Sequence, residues 1–252
     1  MKRSHETHAR GGFTLIELLV VVAIMTSLLA ILLPTVSKVR SLADRTVCQS
    51  NLRHISQAWH MYCNAHGGEF YQGENANALY GGWKGIDYPN HPRPLNRYLG
   101  LASLPASEAD ATIFKCPRDK GSAGPMYYRD LGTSYQTNIL LIGQDQIGAL
   151  PYGSLQHAIN TRLQGLTHQR VDSPARVLLI GDYGWGVQWI PHYPPGPYWH
   201  GRRYHYNVAF LDTHVEFLHI RKGLFVTDEY TVLPLKELYA LAHEVQEEEE
   251  LP

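Results

Sequence analysis

Gly11-Gly12-Phe13-Thr14-Leu15-Ile16-Glu17 opens a run of 21 residues, 13–33, that carries one formal charge, Glu17, and stops at Pro34. At about 1.5 Å per residue the run makes roughly 31 Å of helix, enough to cross the hydrocarbon core of a bilayer. Ahead of it, residues 1–12 are polar and set Lys2, Arg3 and Arg10 against Glu6. Positive flanking charge holds the start of the chain in the cytoplasm, so the residues beyond the run are expected on the far side of the membrane.

Three physical readings compete for this stretch. A secretory signal peptide has a shorter apolar core with small residues at a cleavage site behind it, whereas Leu32-Leu33-Pro34-Thr35-Val36 stands here. A plain single-pass anchor fits the length but leaves Glu17 without a purpose, because a carboxylate in hydrocarbon costs about 2.5–3.5 kcal/mol or more. A buried core helix fits least, since the run is apolar all round.

Residues 11–17 decide among them. Gly12-Phe13-Thr14-Leu15-Ile16-Glu17 behind a short basic leader resembles the processing site of the type IV prepilin and type II secretion pseudopilin superfamily. The resemblance implies that prepilin peptidase cuts between Gly12 and Phe13 and methylates the new amino terminus. Glu17 is then the fifth mature residue and the one expected to act in filament assembly. It implies as partners the peptidase, other pilin or pseudopilin subunits, the inner-membrane assembly platform and the membrane itself. The chain is expected to be single-pass in the inner (cytoplasmic) membrane, N-terminus cytoplasmic, with its globular domain periplasmic or extracellular. Its implied function is structural, a subunit of a type IV pilus-like or type II secretion filament, not an enzyme and with no cofactor. The alternative is a minor or tip subunit, or an exported ligand-binding module or enzyme using a pilin-type signal.

Beyond Pro34 the apolar residues Val36, Val39, Ala43, Val47, Leu52, Ile55, Trp59 and Tyr62 keep helical spacing, and His66-Gly67-Gly68 supplies a C-terminal stop. The chain therefore divides into a leader (1–12), a transmembrane and filament-core helix (13–33), an amphipathic continuation (34–66) with a bend or break expected near Pro34, and a globular domain (67–252) with an acidic tail. The predicted fold class is α+β, pilin-like, with the long helix packed against an antiparallel sheet. Residues 67–133 read as loops with short elements. Strands are predicted at 134–141 and 176–180, and a hairpin at 207–211 and 214–218 turning on Asp212-Thr213. The aromatic, proline-rich stretch 183–199 reads as a loop, 234–245 as a terminal helix and 247–250 as a solvated acidic tail.

Ser50-Asn51-Leu52-Arg53-His54-Ile55, Met61-Tyr62 and Cys116-Pro117-Arg118-Asp119 further resemble a planctomycete-type pilin-like subfamily marked by a C-terminal His-x9-Asp-Gly motif. Here the motif departs: Asp-Gly is Asp212-Thr213, Arg202 stands ten before Asp212, and the nearby histidines are His200 and His205. Threonine is poor where a two-residue turn needs positive φ, so another turn type or one extra residue is expected.

Net charge −1 with 18% charged residues argues against a nucleic-acid binder working through a basic face and equally against a disordered acidic chain. Sixteen Tyr, five Trp, 22 Gly and 15 Pro suit strands and loops. No serine-hydrolase, zinc-protease, phosphate-loop or dinucleotide motif is present. Fourteen histidines invite a metal, and His200, His205, Asp212, His214 and His219 lie close in sequence with Asp182 at the end of a neighbouring predicted strand. Strand geometry turns residues 205 and 212 to opposite faces, which favours surface histidines and no metal. Cys48 and Cys63, 15 residues apart on one helix, lie about 22 Å apart and cannot bond within one chain. An intramolecular bridge thus needs Cys116, and three reduced thiols remain the alternative. The subfamily's two recurrent cysteine contexts imply Cys48 with Cys116.

Overall fold

A computed structural model describes residues 14–120, 126–143, 153–188 and 196–250. It comprises two compact units, divided between Leu42 and Ala43. Helix α1 (Leu15–Ala65) begins in the first and ends in the second, and it continues through Pro34, where the sequence predicts a bend or break, without interruption.

In the first unit the apolar side chains of 15–33 are exposed, and this part of α1 is long and apolar enough to cross a membrane. The Thr26 and Thr35 hydroxyls donate to the carbonyls of Ala23 and Ile31, both at 3.0 Å, so neither needs an outside partner.

The second unit holds the core. From Cys48 onward α1 buries Leu52, Ile55, Trp59 and Tyr62. The predicted stripe is thus half realised: Val36, Val39 and Val47 are exposed, and the first buried turn is set by Cys48, one residue beyond Val47. The helix ends after Ala65, where Gly67 adopts φ 65° and Gly68 N donates to the Cys63 carbonyl at 2.7 Å.

Four strands, β1 (Tyr135–Thr137), β2 (Leu178–Asp182), β3 (His205–Phe210) and β4 (Val215–His219), form an antiparallel sheet in the order β1-β2-β3-β4. Helix α1 meets the sheet through specific side chains. Asn51 Nδ2 donates to the Tyr135 hydroxyl at 3.2 Å, His60 Nε2 contacts the Leu211 carbonyl, and the Arg45 guanidinium lies 4.7 Å from the Phe217 ring centre. The fold is therefore α+β and pilin-like. β2 is buried along its whole length, and at Gly181 an added Cβ would come within 2.4 Å of Val208, so a side chain there would force β2 and β3 apart.

Several predicted elements shift. The strand expected over 134–141 stops at Thr137 because Asn138 turns the chain. Its Nδ2 donates to the Leu178 and Val232 carbonyls, both at 2.8 Å, and its Oδ1 accepts from Leu140 N at 3.0 Å. The β3–β4 connection is a three-residue loop: Thr213 N donates to the Phe210 carbonyl, Phe210 N donates to the His214 carbonyl, and Thr213 takes φ 76°. This is the longer turn that a threonine in place of glycine called for. Residues 183–199 are not all loop, since α5 (Trp185–Gln188) lies within them. The ends of that connection meet at Gly184 and Gly196, where a Cβ on either would fall within 2.7 Å of the other's Cα. The terminal helix starts later than expected. Asp172 Oδ2 accepts from Lys236 N, a short 3-10 turn comes next (Lys236–Leu238), and α6 (Tyr239–Glu250) runs through the acidic residues read as a tail. α2 (Ala76–Leu79), α3 (Tyr127–Leu131) and α4 (Gly153–Arg162) complete the α-helices among the described residues, α4 being unanticipated.

Candidate functional site

Gly12 and Phe13, where cleavage and methylation are expected, lie outside the described residues. Glu17 is the third residue of α1, and Thr14 stands just before the helix. The Glu17 carboxylate accepts from Thr14 N at 2.8 Å and from Thr14 Oγ1 at 2.7 Å, while Thr14 Oγ1 faces Glu17 N at 3.3 Å. This is a capping box, satisfying donors that open a helix. The Thr-x-x-Glu spacing is a helix-start signal legible in the sequence itself, one that the processing-site resemblance overshadows.

In the second unit Cys48, Cys116, Asp182 and His200 converge, all buried, with one ligand atom from each lying within 4.8 Å of the others. Each comes from a different part of the fold. Cys48 is the first buried residue of α1, and Cys116 follows a 3-10 segment (Glu108–Phe114). The turn 116–119 is fixed by Asp119, whose N donates to the Cys116 carbonyl at 3.0 Å. Asp119 Oδ2 in turn accepts from Tyr128 N at 2.8 Å and Ser134 Oγ at 2.7 Å. Asp182 closes β2, where its Oδ2 accepts from Asn207 N and Nδ2, both at 2.8 Å. His200 is seated through its neighbour, because Arg118 Nε donates to the Trp199 carbonyl at 3.0 Å.

Within the cluster the two sulfurs are 2.7 Å apart, Cys116 Sγ is 3.5 Å from His200 Nε2, and His200 Nε2 is 3.5 Å from Asp182 Oδ2. Asp182 Oδ1 and His200 Nδ1 are buried without a hydrogen-bond partner among the described residues. Burial acts to raise the Cys48 thiol pKa, yet its contacts with Cys116 and His200 outweigh this and hold it below the ordinary value. Burial and the Cys48 contact push Cys116 well above that value. Burial opposes protonation of His200, but the Asp182 and Cys48 contacts prevail and lift it to about 9. Cys63 is buried elsewhere, its thiol pushed by desolvation to about 12.

The other histidines singled out in the sequence do not join this cluster. His205 and His219 face each other across β3 and β4 with rings stacked at 5.0 Å. Asp212 and His214 sit half exposed on the hairpin turn, 2.5 Å apart, with Glu216 3.8 Å from His214. Of that group only His200 turns inward to Asp182.

Comparison with known proteins adds the N-terminal assignment. Residues 7–33 match the family described as the prokaryotic N-terminal methylation motif. An 89-residue stretch, 35% of the chain, is 34% identical to a G8 domain-containing protein of Dictyostelium discoideum, of which it spans 6%. No solved structure matches the chain. The motif and the apolar helix behind it support a type IV pilin-like prepilin, a substrate of prepilin peptidase in a single-pass membrane setting.

Proposed function

We propose that this chain is a structural pilin or pseudopilin subunit, not an enzyme, which leaves the membrane to assemble into a type IV pilus-like or type II secretion filament. The observation that carries the reading is the methylation motif over residues 7–33, whose apolar part opens a helix apolar enough to span a bilayer. In a filament the exposed apolar residues of 15–33 bundle into the core, a heterologous contact that propagates instead of closing. Glu17 pairs there with the methylated amine of a neighbouring Phe13. The second unit lies beyond the inner membrane and coats the filament. The contexts of Cys48 and Cys116, with Cys116-Pro117-Arg118-Asp119, favour the planctomycete-type subfamily, while Asp212-Thr213 departs from its His-x9-Asp-Gly motif. In the oxidising compartment Cys48 and Cys116 form a disulfide, a reading favoured by their 2.7 Å approach.

The experiment is intact-mass and N-terminal analysis of protein from the native host, with blotting of sheared filaments. A mature chain starting at methylated Phe13 and present in the sheared fraction is expected. A retained leader, or a start beyond residue 30, overturns the assignment.

A further inference from the structure

We propose that in the reduced chain Cys48, Cys116, Asp182 and His200 bind one zinc ion. The donor set selects the metal. Two thiols, an imidazole and a carboxylate are the soft-to-borderline ligands that zinc takes in fourfold sites, whereas calcium and magnesium need oxygen. All four side chains are buried: Cys48 and Cys116 are 0% exposed, Asp182 2% and His200 7%. They come from α1, the 116–119 turn, the end of β2 and the segment before β3. A chance surface cluster has neither property.

Two of the separations already suit a tetrahedral ion, and all four ligand atoms lie within 4.8 Å of one another. Zinc bonds of about 2.3 Å to sulfur and 2.0–2.2 Å to nitrogen and oxygen place neighbouring ligand atoms roughly 3.3–3.8 Å apart. The sulfur–nitrogen and nitrogen–oxygen separations are both 3.5 Å. The sulfur–sulfur separation of 2.7 Å must open by about 1 Å to hold an ion, or close by about 0.7 Å to form a bond. The same pair of sulfurs therefore serves either state but not both.

The surroundings are those of a built metal site. Asp182 Oδ2, the oxygen 3.5 Å from His200 Nε2, is held in place by two donors from Asn207, the outer support that orients a ligating carboxylate, and the carboxylate's buried Oδ1 has no hydrogen-bond partner among the described residues. A dication offsets two thiolates and a carboxylate that burial otherwise leaves costly. With four protein ligands and no open position the site is structural, tying α1 to the sheet. Thiol–disulfide exchange with an external disulfide ends this state. The two thiolates become the Cys48–Cys116 bond, the donor leaves as two thiolates carrying the electron pair, and the ion is released.

The test uses the full-length chain in detergent, stripped with chelator and held reduced. Titration with cobalt(II) is expected to saturate at one equivalent with thiolate-to-cobalt charge-transfer bands, and zinc should displace the cobalt. Cys116→Ser and His200→Ala should lose the bands. Asn207→Ala, which only loosens Asp182, should weaken binding by about 10- to 100-fold, and Cys63→Ala should leave it unchanged. If the ligand variants do not fold, the unsubstituted chain still decides: once peptide mapping shows the Cys48–Cys116 bond, binding must vanish. Absence of thiolate–cobalt bands in the folded, reduced chain, or equal binding in the bridged chain, overturns the proposal.

Discussion

Glu17→Gln and Thr14→Ala separate two tasks that one carboxylate can perform. Within the chain, Glu17 accepts two hydrogen bonds from Thr14 and closes the start of α1, at 2.8 and 2.7 Å. Caps of this kind contribute about 0.5–2 kcal/mol. A glutamine oxygen can accept the same two bonds, so Glu17→Gln keeps most of the cap while removing the charge. Thr14→Ala keeps the charge and removes the hydroxyl. In the proposed filament core, a Phe13 amine left without its counter-charge would cost about 2.5–3.5 kcal/mol per subunit, the scale for an isolated charge in hydrocarbon. At about 1.4 kcal/mol per tenfold, that weakens association by roughly 60- to 300-fold. Loss of a cap of about 1 kcal/mol weakens it about fivefold. Cleaved protein should accumulate in the membrane for Glu17→Gln, with little in the sheared fraction, whereas Thr14→Ala should still assemble. Quantitative blotting of both fractions, with masses to verify cleavage, makes the comparison. Parental assembly by Glu17→Gln beside failure of Thr14→Ala refutes charge pairing and leaves Glu17 as a helix cap.

Other perturbations address the second unit. Asn138→Leu removes the amide that bonds the Leu178 and Val232 carbonyls in the core; at about 1–3 kcal/mol for each buried group that loses its bond, a loss of at least about 2 kcal/mol is expected in urea unfolding, and a loss under about 1 kcal/mol contradicts the assigned bonds. Thr213→Gly removes a β-branched residue from φ 76°, relieving about 1–2 kcal/mol of strain against a smaller entropic cost, so the melting temperature should rise by a few degrees; a fall counts against the turn. The Cys48–Cys116 bond would close a loop of 68 residues and contribute roughly 4 kcal/mol, so reduction in the absence of metal should lower the unfolding midpoint markedly, and non-reducing peptide maps should show the linked pair rather than Cys63 with Cys116.

How much the sequence disclosed depends on the range of the interactions involved. The leader, the spanning helix and its glycine stop are local patterns, legible in Gly12-Phe13, in 13–33 and in Gly67. The hairpin was legible too, down to the strain that Thr213 places on its turn. Local signals failed where a distant partner redirects the chain. Asn138 reads as one polar residue in a strand, yet it bonds Leu178, 40 residues away, and Val232, 94 residues away, and ends the strand there. Helix α4 buries only Leu155 and Ile159, too thin an apolar stripe to stand out beside its polar neighbours. The buried cluster is the extreme case. Proximity in sequence grouped His200 with His205, Asp212, His214 and His219 and set Asp182 beside them; the fold keeps only His200 with Asp182, its backbone held where Arg118 bonds the Trp199 carbonyl, and no spacing rule joins these to Cys48 and Cys116.

The close approach of the glycines at 184 and 196 links the two halves of the buried cluster. A Cβ on either would fall within 2.7 Å of the other's Cα, so the way out of β2 and the way back toward β3 run together only while both positions lack a side chain. Trp185, next to the first of them, is fully buried and donates its indole N–H to the Gln136 carbonyl at 2.8 Å, so the chain leaving Gly184 is held by the core as well. A side chain at either glycine would therefore be felt at Asp182, two residues before Gly184, and at His200, four after Gly196.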